Sequence, residues 1–152
     1  MTIIVHVVKN EKEKIMIREI IKDQFLLCRK SSDAIVDDLY IIDDLKDTMN
    51  AYQESCVGMA ANMINELKRI IAVKENDDIL VLINPVIIKT AGHYYETEEG
   101  CLCHEGTQKT KRYEKIKVQY HDEKFKMKIK TFSGLTAQII QHEIDHCNGI
   151  LI

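Results

Sequence analysis

The chain is poor in chain breakers, with a single proline, Pro85, and six glycines among its 152 residues. No Pro/Gly/Ser-rich linker, internal repeat or low-complexity tract divides it, so residues 1–152 read as one continuous domain large enough to bury a core. A basic excess is missing as well. The formal net charge of -3 gives no general attraction to nucleic acid or to an anionic membrane, although Lys109 to Lys117 is locally basic and could border an acidic substrate. The apolar stretch TIIVHVV after Met1 lacks a basic leader and turns charged at Lys9, so neither a signal peptide nor a membrane span is expected, and a cytoplasmic location is. Five cysteines make an odd set. In a reducing compartment Cys28, Cys56 and Cys147 read as buried thiols rather than disulfide partners.

What is present is the balance of a globular protein, 45% apolar and 30% charged. From Asp33 to Tyr52, apolar residues at Ile35, Leu39, Ile42, Leu45, Met49 and Tyr52 fall three or four apart. That spacing predicts an amphipathic helix, with Ser31 or Ser32 as its cap. Arg69 to Lys74, Ile79 to Asn84, Lys115 to His121 and Phe125 to Thr131 are short, rich in β-branched or aromatic residues and partly alternating, so they read as strands. The last two suggest an antiparallel hairpin about Asp122 to Lys124 with one wet face. Pro85 follows an apolar run as a turn would. A second helix is expected from Ser133, an N-cap, to Gly149, a C′ residue. The order predicts an α+β fold, the last helix packed on antiparallel sheet.

That last helix contains QHEIDHCNG, an HExxH motif formed by His142, Glu143 and His146. Side chains four apart share a helix face, so both imidazoles can bind one metal while Glu143 reaches the water to be activated. A solvated helix with two surface histidines is the bland alternative, and a third ligand is needed to exclude it. With only six residues after His146, that ligand is expected upstream. His6, His93, His104, His121, the acidic residues and the cysteines are candidates, and the run TEEGCLCHEG is the densest in such groups. On extended backbone Cys101 and Cys103 face one side. A catalytic site takes three protein ligands and keeps a position open, so one thiol should bind and the other sit behind it. His6, His93 and His121 lie in or beside strand-like segments and are better read as exposed or satisfied histidines. Asp145 is assigned no chemistry, and Glu99 with Arg112 can form a supporting ion pair.

EGCLC at Glu99 to Cys103, with QHEIDHCNG at Gln141 to Gly149, resembles the peptide deformylase family, which removes the formyl group from the N-terminal methionine of new bacterial proteins. CVGMAANM at Cys56 to Met63 matches a third signature in part, and Asn84-Pro85 sits where that family has the same pair. The resemblance implies antiparallel sheets packed around a central C-terminal helix. It also implies that Cys101, His142 and His146 bind one divalent metal, with Glu143 as general base and acid. A thiolate and two imidazoles suit such an ion, which can bring the pKa of water to about 7. Ferrous iron is the family's usual metal, with zinc, nickel or cobalt as substitutes. The resemblance further implies Leu102 N–H as an oxyanion donor, and Val57, Gly58, Leu135 and Ile139 around the methionine side chain of an N-formylmethionyl peptide or nascent chain.

This chain departs from the family pattern at several positions. Met63 stands where the first signature ends in glutamine, and a thioether cannot donate a hydrogen bond to the reacting carbonyl. Loss of one such donor typically costs about 10²- to 10³-fold in turnover, unless Asn62, Asn65 or a water replaces it. Cys56 occupies the first glycine of that signature, which narrows the backbone freedom of the loop. Cys103 replaces a serine, and His104-Glu105-Gly106 puts an imidazole and a carboxylate near the expected mouth of the site. Deformylation of formyl-methionine is the leading expectation. The alternatives are a metal-dependent amidase for another small N-acyl group, or a weakly catalytic metal- or peptide-binding homologue.

Overall fold

A computed structural model describes residues 4–10 and 13–152, and the side chains of residues 4–10, 13 and 14 lie outside that description. Most of TIIVHVV forms strand β1 (Ile4–Asn10), antiparallel to β2 (Glu13–Arg18). Met1 to Ile3 and the side chain of His6 are outside the described residues. Then follow α1 (Gln24–Leu27), a 3-10 turn (Val36–Asp38), α2 (Tyr40–Ala51), β3 (Gly58–Ala60) and a second 3-10 turn (Ala61–Ile64). Strands β4 (Ile70–Glu75), β5 (Asp78–Gly100), β6 (Thr107–His121) and β7 (Met127–Ser133) lead into α3 (Gly134–Cys147). Strands β3 to β7 form one sheet in that order, each pair antiparallel, and α3 packs on β3, β4, β6 and β7. The expected α+β architecture is the one observed. Among the described residues no helix is long and apolar enough to cross a membrane.

The first long helix begins later than its periodicity suggests. Ser32 is bridged to Lys68, and Asn84 clamps Ala34 by accepting its N–H at 2.7 Å and donating to its carbonyl at 3.0 Å. Residues 32–34 are therefore held by long-range bonds that a helix would have to break. Ser31 and Ser32 cap nothing there, Leu39 precedes the first turn, and Ile35 is exposed. The stripe is buried farther on, at Ile41, Ile42, Leu45, Thr48 and Met49.

Pro85 is also corrected. It lies inside β5 at a break in register between Ile83 and Val86, where Asn84 takes a positive φ of 52°. A bulge accommodates a residue with no N–H to give, so the strand runs on. The last hairpin forms as expected, with Asp122 Oδ1 accepting from Lys124 N and Lys126 N, but its second strand starts at Met127 because Phe125 sits in the left-handed region.

At the start of α3, Ser133 is the N-cap by position, yet its side chain makes no capping bond. The far end is sharper. Gly149 (φ 73°) donates to His146 O and Ile150 donates to Asp145 O, a Schellman closure that stops the helix just after the motif. Ala137, Ile140, Ile144 and Cys147 bury one face of α3 against Ile71, Ile116, Val118 and Phe132. The neighbouring face is left for the site.

Candidate active site

Three segments far apart in sequence meet over that face: β3 with its 3-10 turn, the end of β5, and α3. Cys101, His142 and His146 each present a ligand atom, all within 4.8 Å of one another, and Cys101 Sγ is 3.3 Å from His146 Nε2. His93, His104 and His121 are outside this group. His104 hydrogen-bonds the main-chain oxygen of Ile152, and His121 stacks on Phe125.

Cys103 is buried behind Cys101, with its sulfur 3.4 Å from the Cys101 sulfur. The Cys103 hydrogen bond, helped by the imidazoles and opposed by burial, holds the Cys101 thiol down to about 2. Cys103 is pushed the other way by the same bond and by burial, so it remains the S–H donor. Burial also opposes charge on His142, but its bonds to Cys101 and Glu99 outweigh that and raise it to about 10. Glu143 is fully enclosed. Burial pushes its carboxyl up to about 7, against the pull of His142 and His146, and its Oε2 has no hydrogen-bond partner.

Glu99 is the group that the motifs alone undervalue. It accepts from Arg112 Nε at 3.0 Å, Arg112 NH2 at 2.7 Å and Gln138 Nε2 at 2.9 Å, and its Oε1 lies 2.8 Å from His142 Nδ1. An ionised carboxylate can only accept, so Nδ1 holds its proton against Glu99 and Nε2 is the nitrogen that must give up its proton to a cation. Burial opposes this charge, yet the His142 and Arg112 bonds bring Glu99 down to about 2. Arg112 also holds Asp145 at 2.6 Å. The expected ion pair is present, and its link to His142 spans 43 positions, beyond the reach of any local pattern. The usable signal is indirect, because Glu99 precedes Cys101 by two.

A cavity of about 190 Å³ opens above these groups. The expected pocket residues Val57, Gly58, Leu135 and Ile139 line it, as does Leu102, the expected oxyanion donor, beside Cys101, His142 and Glu143. Leu135 is 66% exposed, which rules out ordinary core packing for it. Gly58 is glycine for a local reason: a Cβ there would lie 2.6 Å from Ile139 Cγ2 and 3.2 Å from Glu143 Cγ.

The other departures resolve differently from expectation. Met63 lines the cavity, and its sulfur takes the Ala60 N–H at 3.5 Å. Asn62 does not replace the missing donor, since its amide turns away to His146 O at 2.9 Å. Asn65 accepts from Arg29 and is absent from the lining. Cys56 needs no left-handed backbone, and its thiol bonds Gly58 O at 3.0 Å. Neither His104 nor Glu105 reaches the mouth, and no lysine of β6 borders the cavity.

Two imidazoles and a thiol around a point, beside a buried carboxyl on a helix over antiparallel sheet, define a metal-dependent hydrolase. Residues 17–152 match the polypeptide deformylase family. The chain belongs to that family, whose members are metal-dependent hydrolases that remove the N-formyl group from nascent chains. A peptide deformylase of Clostridium beijerinckii is 52% identical over 137 residues, 90% of this chain and 100% of that protein. A class I type b peptide deformylase from Acinetobacter baumannii, solved with Met-Ala-Ser bound, matches with a TM-score of 0.79 at 30% identity, covering 88% of this chain and 95% of that one. A peptide deformylase from Synechococcus elongatus in complex with actinonin matches with a TM-score of 0.80 at 32% identity, covering 95% of this chain and 81% of that one.

Proposed function

We propose that residues 1–152 work as a single metallohydrolase domain in the cytoplasm, deformylating N-formylmethionyl peptides and nascent chains, with one divalent cation held by Cys101, His142 and His146. The observation that carries this reading is the donor set itself: three ligand atoms within 4.8 Å beside the partnerless Oε2 of Glu143. A soft thiolate with two imidazoles fits ferrous iron, the metal we assign in the cell, and accepts zinc, nickel or cobalt. When bound, the cation supplies Lewis-acid polarisation of the formyl carbonyl and acidifies water.

The chain's own residues do the rest. Glu143 takes a proton from the attacking water and delivers it to the departing amine nitrogen, so that the C–N bond breaks to give formate and a free N-terminus. Burial tunes that carboxyl to about 7, close to the pH at which it must both accept and release. Leu102 N–H holds the developing charge on the formyl oxygen. Val57, Gly58, Leu135 and Ile139 receive the methionine side chain. Met63 favours a second reading, a slow homologue, because its thioether accepts a backbone N–H where a donor would serve the carbonyl.

Metal analysis of Cys101→Ala tests the ligand set. Loss of stoichiometric metal is expected, because two protein ligands do not hold a catalytic ion, whereas unchanged affinity would exclude Cys101. Turnover of formyl-Met against acetyl-Met peptide by anaerobically iron-loaded protein tests the substrate, and faster acetyl turnover would replace the formyl reading.

A further inference from the structure

Between Leu135 and Ile139, α3 presents Gln138 to the cavity. A wall built only to hold a hydrocarbon chain would carry an apolar residue there. The orientation of its amide follows from its neighbours. Glu99, paired with Arg112 and His142, can only accept, so the amide nitrogen must face it, at 2.9 Å from Oε2. The amide oxygen then meets the Tyr95 hydroxyl at 3.1 Å, which donates. An amide nitrogen carries two hydrogens. Among the described residues Glu99 is its one partner.

We propose that the second N–H of Gln138 is a sulfur-directed donor in the cavity, making Gln138 a specificity-determining residue that favours methionine over side chains of equal length and shape that lack an acceptor. The inference rests on reading this cavity as the methionine site. A thioether is a weak acceptor, so the hydrogen bond is modest by itself. Two features raise its effect. The amide is pinned at both ends and loses little freedom on binding, and a donor left facing a methylene group is desolvated without return.

Norleucine, with a methylene in place of sulfur, is the direct comparison. kcat/KM should be measured for formyl-methionyl and formyl-norleucyl peptides of otherwise identical sequence, using the metal-loaded parent, Gln138→Leu and Gln138→Met. The parent should prefer methionine by roughly 3- to 10-fold, and each variant should lower that preference by about 3-fold or more. Gln138 also supports Glu99, and losing that support slows both substrates together without moving the ratio. Gln138→Met keeps an unbranched shape, so the test survives if Gln138→Leu does not fold. An unchanged ratio in a folded, metal-loaded variant overturns the inference while deformylation stands. Turnover of neither peptide by the loaded parent overturns the deformylase reading and the inference together.

Discussion

Where β5 meets α3, one carboxylate faces four donors: Glu99 takes two nitrogens of Arg112, the Gln138 amide and His142. A second wall, the segment leading into β3 and the 3-10 turn after it, shows the cavity two sulfurs, Cys56 and Met63, each bonded to the local backbone. Charge-assisted bonds of the first kind are strong and directional, and they orient a metal ligand. Sulfur on the second wall offers shape and polarisability, but the Cys56 S–H is already given to Gly58 O and the Met63 thioether has no hydrogen to offer a substrate carbonyl. The contrast argues that the chain is better equipped to hold a cation than to polarise its substrate.

Glu143 stands between the walls, and its removal should have the largest effect. Glu143→Gln is expected to keep the metal and lower kcat by about 10²- to 10⁴-fold, because the amide cannot take the water's proton. Metal content measured beside steady-state kinetics checks this, and activity within a few-fold of the parent would contradict it. The sulfur wall is probed next. Met63→Gln should raise kcat by up to about 10²-fold by restoring a donor that strengthens as charge develops. Met63 is only 1% exposed, so thermal melts must accompany the kinetics.

On the charged wall, Glu99→Gln should weaken metal affinity by about 10- to 100-fold, since the lost carboxylate no longer fixes His142. Equal affinities of parent and variant in a chelator competition would mean that packing alone orients the ring. The smallest effect is graded rather than abrupt. In the metal-free protein His142 is raised to about 10 by the Cys101 and Glu99 bonds, which overcome burial. A cation must displace that proton, so below that value affinity should rise by about tenfold per pH unit for each proton released. Chelator titrations at two neutral pH values read the slope.

Periodic and local signals carried much of the fold into the sequence. The motif helix with its Gly149 stop, the last hairpin and the strands around Arg69 to Asn84 all follow from side-chain spacing and turn chemistry. Long-range partners account for what was hidden. Asn84 and Lys68 hold residues 32–34 out of the first helix, and a bulge lets β5 pass through Pro85. At the site, the candidate group of Cys101, His142 and His146 with Glu143 is legible in the motifs. The destination of Asn62, 84 positions away at His146 O, could not, because nothing within its neighbourhood specifies it.

That Asn62 bond has a thermodynamic consequence. It ties the turn beside Met63 to the carbonyl of His146, while Glu99 ties the end of β5 to His142. Opening any of the three segments disperses the donor set, so a cation bound there favours the folded chain over every partly opened form. Its contribution grows as RT ln(1 + [M]/Kd), about 4 kcal/mol at a thousandfold excess over Kd. Stripping the metal should therefore lower the melting temperature of the whole fold and speed amide exchange in α3, rather than loosen the cavity alone.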